Sequence, residues 1–131
     1  MTAVEQIIYS VLTSDADVAA LVGDRVYPVV RPGDTAVPAI AYQLIDNVRH
    51  HGCGGASGWA ESRWQLNCWA ATFDGAIALA EAAIKALDGW SGARVDHIFV
   101  VDEGDLPAVE PANEQLTFYG RRLDVQIHYN E

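Results

Sequence analysis

LVGDRVYP at 21–28, with VPAIAY following at 37–42, is the stretch whose reading decides the fold. The apolar run Val18, Ala19, Leu21 and Val22 closes at Gly23, which can enter the left-handed conformation after a helix C-terminus because it has no Cβ. Val26 and Tyr27 are strand formers, so the local order is helix stop, turn, strand. Pro28 lacks an amide hydrogen for a ladder, which makes this strand short or places it at a sheet edge. Upstream, Thr2 and Glu5 have the spacing of a capping box, and Val4, Ile7, Ile8, Val11 and Leu12 fall on one helical face. Ser14 or Asp15 caps a second short helix that runs to Gly23, with Asp15 and Asp17 at its positive end; the two segments can equally be one broken helix.

Downstream of Pro38 the apolar period changes to two. Ile40, Tyr42 and Leu44 alternate with Ala39, Ala41, Gln43 and Ile45, as in a strand with one well-buried face. Residues 47–58, NVRHHGCGGASG, are rich in glycine and histidine and read as a mobile hairpin loop. Alternation returns over 60–70, with Ser62, Trp64, Leu66 and Cys68 on one face and Glu61, Arg63, Gln65, Asn67 and Trp69 on the other. Thr72 caps a third helix whose apolar face is Phe73, Ala76, Ile77, Ala80, Ala83, Ile84 and Leu87; Glu81 and Lys85 pair outside, and Gly89 ends it. Residues 95–101 form the next strand, 102–114 an acidic loop, and 117–129 the last strand, with Tyr119, Leu123, Val125, Ile127 and Tyr129 mostly on one face. The order ααβββαββ predicts an α+β fold, an antiparallel or mixed sheet of about five strands with helices packed on one face.

At 131 residues and 50% hydrophobic composition, the chain suits a single domain, 1–131, burying roughly two thirds of the surface its unfolded form exposes. The longest apolar stretches fall short of the roughly 18 residues that a membrane span needs, and no signal-peptide pattern stands at the start, so a soluble protein made in the cytoplasm is expected. Cys53 and Cys68 do not amount to a disulfide framework. A net charge of -10 argues against a free-standing nucleic-acid binder, which needs clustered bases; Lys85 is the only lysine. The other bases are arginines, which suit fixed planar ion pairs at interfaces.

No catalytic signature is present. His50, His51 and Cys53 lie together, and folding can bring Cys68, His97 and His128 near them, all of which are zinc-ligand types. Adjacent histidines on a glycine-rich loop do not easily face one ion, and no second spaced pair of ligands occurs, so neither a metal nor another cofactor is expected. Ser57 in GASGW lacks the context of a nucleophile elbow, and the glycines of 52–58 lack the Lys-Ser/Thr ending of a phosphate loop. The carboxylates of 102–114 read as solvated charge, and an enzyme is not expected. Trp59 and Trp69 share a strand face with Arg63 and Gln65, a combination enriched at binding hot spots; the plainer reading puts Trp64 under the helix and Trp69 in packing on the far side of the sheet.

Taken in order, LVGDRVYP at 21–28, VPAIAY at 37–42, RWQLNCWA at 63–70, the alanine-rich helix to Leu87 and YGRRLDVQI at 119–127 resemble the tail completion or tail terminator proteins of tailed bacteriophages. The resemblance implies a structural virion subunit at the head-proximal end of a tail. There it would form a ring, typically hexameric, that caps the tail tube and joins it to the head-side connector or stopper protein. DNA would pass through the lumen without specific binding, and no membrane is involved; phage, prophage and gene transfer agent remain open as the source particle. An acidic ring would repel the sliding duplex and avoid trapping it. Closing a ring needs two different patches that meet, for which Arg63, Trp69, Arg121 and Arg122 are the expected subunit contacts. His50, His51, Asp102, Glu103 and Asp105 are expected on loops facing neighbours or the lumen, and HHGCGG departs from the family pattern. The reading from a different class is a free cytoplasmic α+β protein that binds a small ligand or metal through residues 50–53.

Overall fold

A computed structural model describes residues 4–28, 37–52, 55–92, 94–109 and 118–130, with backbone alone for 51–52, 55–57 and 107–109. In chain order the elements are α1 (Val4–Ser14), α2 (Ala16–Val22), β1 (Val26–Pro28), β2 (Ala39–Gly52), β3 (Gly55–Ala70), α3 (Phe73–Leu87), β4 (Val95–Val109) and β5 (Phe118–Asn130). The strands form one mixed sheet in the order β1-β2-β3-β5-β4, in which β1 runs parallel to β2 and every other pair is antiparallel. This is the predicted α+β order, with β1 both short and at the edge.

Asp15 separates the first two helices. Its carboxylate accepts hydrogen bonds from the backbone N–H groups of Asp17 and Val18, at 3.0 and 3.1 Å, and so caps α2. At the other end Gly23 sits at φ 61, the left-handed region that its lack of a Cβ permits. Arg25 then ties the two halves of the opening motif together. Its Nε donates to the Pro38 carbonyl at 2.9 Å and one terminal nitrogen donates to the Leu21 carbonyl at 3.2 Å, while the Ile40 N–H donates to the Arg25 carbonyl at 3.0 Å. One guanidinium thus satisfies a carbonyl of the last turn of α2 and fixes the entry of β2 beside β1. The Thr2 cap lies outside the described residues.

The core lies between the helices and one face of the sheet. Ile40, Tyr42, Trp64, Leu66, Cys68, Ile98, Leu123, Val125 and Ile127 meet Ile7, Ile8 and Leu12 of α1, Val18 and Val22 of α2, and Leu79, Ala80, Ala83 and Leu87 of α3. Ser62 is a buried polar residue on this face; its hydroxyl accepts from Trp64 Nε1 at 2.8 Å, so the indole reaches the interior with its polar atom satisfied. Thr72 caps α3 by accepting from the Gly75 N–H at 3.0 Å.

Four details differ from the sequence reading. The face of α3 is Ala76, Leu79, Ala80, Ala83 and Leu87, an i, i+3, i+4 stripe rotated away from Phe73, which is exposed and meets Tyr119 edge-on at 6.3 Å. Leu44 is exposed, because β2 continues past the helix layer and shifts register between Leu44 and Asp46. Residues 47–52 and 55–58, expected in a mobile loop, extend the β2–β3 ladder out to Gly52 opposite Gly55, with one more irregularity between Arg49 and His51. Residues 102–109, expected in the acidic loop, belong to β4, and Asp102, Glu103 and Asp105 pair in register with Asp124, Leu123 and Arg121 of β5. A ladder that already satisfies backbone groups on one side can carry acidic side chains wherever they face solvent. Glu110 and Glu114 lie outside the described residues.

Candidate assembly surface

Because β3 alternates without interruption, its second face is set by Trp59, Glu61, Arg63, Gln65, Asn67 and Trp69, and no described helix covers it. Register brings Gly120, Arg122, Asp124, Gln126 and His128 of β5 alongside, then Leu106, Gly104, Asp102, Phe99 and His97 of β4. At one end of this face two large side chains lie over glycines. Trp69 covers Gly120, where an added Cβ would come within 2.7 Å of the indole and 2.9 Å of Leu106. Arg122 covers Gly104, where an added Cβ would stand 2.6 Å from the guanidinium. The far-side packing of Trp69 and the core position of Trp64 both follow the plainer sequence reading, although Trp69 keeps part of its surface accessible.

Arg121 and Arg122 point to opposite faces. Arg121 donates to Asp105 at 3.0 Å and reaches Glu103 at 3.5 Å, whereas Arg122 pairs with Asp124 and lies 3.5 Å from Asp102. Hydrogen bonding to Asp124, reinforced by its charge and then by Asp102, holds the Arg122 guanidinium above its ordinary pKa. The acidic segment and the arginines expected to meet across a subunit boundary therefore meet within the chain. Arg63 differs: it is exposed at the centre of the uncovered face, and among the described residues it has no ion-pair partner.

At the other end of the face the histidines gather around Glu61. His50 Nε2 lies 3.2 Å and His128 Nδ1 3.8 Å from the same Glu61 oxygen, approaching from the strands on either side. His97 stacks on Phe99 with ring centres 5.5 Å apart, and Phe99 meets His128 edge-on at 5.5 Å. Around them Ile45, Val48, Trp59 and Phe99 are each more than two-fifths exposed, so this end is apolar and weakly charged. Among the described residues no group of three or more His, Cys, Asp or Glu side chains is arranged to hold a metal ion. The His51 side chain and Cys53 lie outside the description, and Cys68 is wholly buried, its thiol pushed up to about 12 mainly by burial.

Sequence reasoning missed Asp124, Gly104 and Gly120 as parts of this surface, and the approach of His50 and His128 to Glu61. Asp124 was legible, since it stands two residues from Arg122 on the same strand face. The glycines were not, because what lies over them depends on the pairing of β3, β5 and β4.

This face carries exposed aromatic and apolar side chains beside internally paired charges. A family model described as tail completion protein gp17 matches residues 6–128, from α1 to β5. The chain belongs to the tail completion protein gp17 family. Among solved structures, a chain from the virion of a native gene transfer agent particle is similar at 25% sequence identity and a TM-score of 0.72, over 95% of this chain and 92% of that one. A search of curated proteins finds no match. Membership in the tail completion family identifies the chain as a structural tail protein of a phage-type particle, and no described helix is long and apolar enough to cross a membrane.

Proposed function

We propose that this tail completion protein is a tail terminator subunit, which closes into a ring, typically of six copies, at the head-proximal end of the tail. The ring caps the tube and presents a surface to the head-side connector or stopper protein. The observation that carries this reading is the family match, which spans every element of the fold from α1 to β5. The molecule supplies what such a role needs. A ring subunit must offer two unlike surfaces, and this one has a helix-covered side and an uncovered sheet face with Arg63, Trp69 and a histidine cluster. Asp102, Glu103 and Asp105 lie on β4 and His50 on the β2–β3 hairpin, where they can face neighbours, and the backbone of His51 extends the same hairpin. A net charge of -10 favours free passage of DNA over its retention.

The test is the native mass of the protein alone and with its tail tube protein, followed by microscopy of tails. A ring on the tube end is expected; a protein that stays monomeric and leaves tube ends unaltered overturns the reading. Deleting residues 52–58 is expected to leave a folded domain that fails in joining, and particles that assemble normally with this deletion would remove the hairpin tip from the proposed contacts.

A further inference from the structure

Three of the chain's four histidines lie in one row across the uncovered face. Glu61 on β3 is in register with His128 on β5, and His128 with His97 on β4. On β2 the register partner of Glu61 is Val48, and His50, two residues further on, reaches back to the same carboxylate. His50 Nε2 at 3.2 Å and His128 Nδ1 at 3.8 Å share one Glu61 oxygen, so this side chain bridges the strands on either side of its own. The row crosses the sheet just before β3–β5 pairing ends at Trp59 and Asn130, beyond which β2 and β3 continue as two strands to Gly52 and Gly55. A two-stranded ribbon is marginal in water, so the hold on its root decides how well the overhang is ordered. The imidazoles and Glu61 are a third to a half exposed, and protons reach them freely.

We infer that His50, Glu61 and His128 form an acid-strengthened clamp, which fastens the root of the β2–β3 overhang to β5 when the imidazoles take up protons. Imidazole is the side chain whose ordinary charge change falls between about pH 5 and 8. At 3.2 Å a neutral His50 can already donate to Glu61, and protonation turns that bond into an ion pair. At 3.8 Å His128 is beyond hydrogen-bond range, so it gains attraction to Glu61 only once it is charged. Repulsion works the other way, from His97 and from Arg63, which follows Glu61 on the same face of β3. Both are offset locally: Asp96 lies 3.7 Å from His97, and Asp46 is the register partner of Arg63. Phe99 also stands between His97 and His128, its ring centre 5.5 Å from each. Farther along β5, Arg122 and Asp124 pair with each other, and Arg49 and Arg94 line a cleft on the helix side. Coulomb attraction falls with distance and is screened over about 8 Å in physiological salt, so the two contacts at Glu61 outweigh the more distant charges. The clamp lies within one subunit and stands whether or not the subunit closes into a ring.

The experiment follows amide hydrogen exchange of the full chain across the imidazole range, from about pH 7.5 down to about pH 5.5. Rates are corrected for intrinsic exchange and referred to the core amides of Leu66 and Ile127 at each pH. In the wild type, protection of the hydrogen-bonded amides within 47–50 and 59–62 is expected to rise about threefold relative to the core, the size that two exposed ion pairs allow. Glu61→Gln is expected to remove the rise, and His50→Gln and His128→Gln each to reduce it. Should Glu61→Gln not fold, the double variant H50Q/H128Q takes its place, with the rise again expected to vanish. His51→Gln and His97→Gln are expected to keep the rise. Side chains that merely pack at the root would change protection equally at every pH and leave the rise intact. Wild-type protection that does not vary with pH relative to the core overturns the inference. So does a Glu61→Gln or H50Q/H128Q protein that retains the full rise, or a rise that His51→Gln or His97→Gln abolishes.

Discussion

Arg25 shows how one side chain converts a sequence pattern into a tertiary joint. Its guanidinium spans from the Leu21 carbonyl in α2 to the Pro38 carbonyl ahead of β2, which is why LVGDRVYP and VPAIAY occur as a pair. Replacing it with alanine leaves two partly buried carbonyls without their charged donor, and chemical denaturation is expected to show a loss of about 2–3 kcal/mol; lysine, with no planar fork, should recover only part. Cys68 makes a second residue-scale prediction. Its folded thiol is raised from 9.0 to about 12, so the neutral form is the one the fold favours. The corresponding stability is fully present below about pH 9 and is lost as the pH climbs from there toward 12. Denaturation midpoints followed through that window should fall less for Cys68→Ala than for the wild type, although the variant starts lower because of its cavity. In the native protein at pH 8 the Cys68 thiol is expected to resist a thiol reagent that labels it at once after unfolding.

At the scale of elements, the helix caps were the most legible features. Asp15 and Thr72 each accept a backbone N–H where a polar side chain precedes an apolar helical stripe, and their alanine variants are expected to cost about 1 kcal/mol each by thermal unfolding. The paired strands β3 and β5 were equally legible, since strict alternation of Ser62, Trp64, Leu66 and Cys68, and of Leu123, Val125 and Ile127, is dictated by the pleat. Strand ends were not. Alternation signals a strand only while one face meets the core, and β2 and β4 both continue beyond the helix layer, where glycine, histidine and aspartate replace the apolar partners. For the same reason the candidate surface was legible in type and not in wiring: Arg63 and Trp69 were placed on the correct face, whereas Arg121 and Arg122 were separated by the pleat and joined to acids of their own chain. The outer edge of β4 shows a device that only coordinates reveal. The Gly89 N–H donates to the Ile98 carbonyl, the Ile98 N–H to the Trp90 carbonyl, and the Val100 N–H to Asp88, so the turn after α3 closes part of that edge. Asp88→Ala is expected to speed amide exchange at Val100 while leaving Ile127 protected.

For the whole molecule, the charges paired inside the subunit, Arg121 and Arg122 with their carboxylates, contrast with Arg63. Arg63 sits on the uncovered face without an ion pair among the described residues, so Arg63→Glu is expected to change unfolding stability by no more than about 0.5 kcal/mol. The same change should lower incorporation into tails, measured by quantitative mass spectrometry of purified particles; unchanged incorporation would take Arg63 out of the proposed interface. The β2–β3 hairpin has a consequence of another kind. Pairing with β5 ends at Trp59 opposite Asn130, yet β2 and β3 continue together to Gly52 and Gly55. Lengthening or trimming that overhang by one residue on each arm moves its tip by about 3.4 Å and reverses which side its terminal groups present, whereas changes by two on each arm preserve the facing. Reach and chemistry at the tip can therefore be retuned in quantised steps to fit a differently shaped neighbour, while every residue under the helices stays where it is.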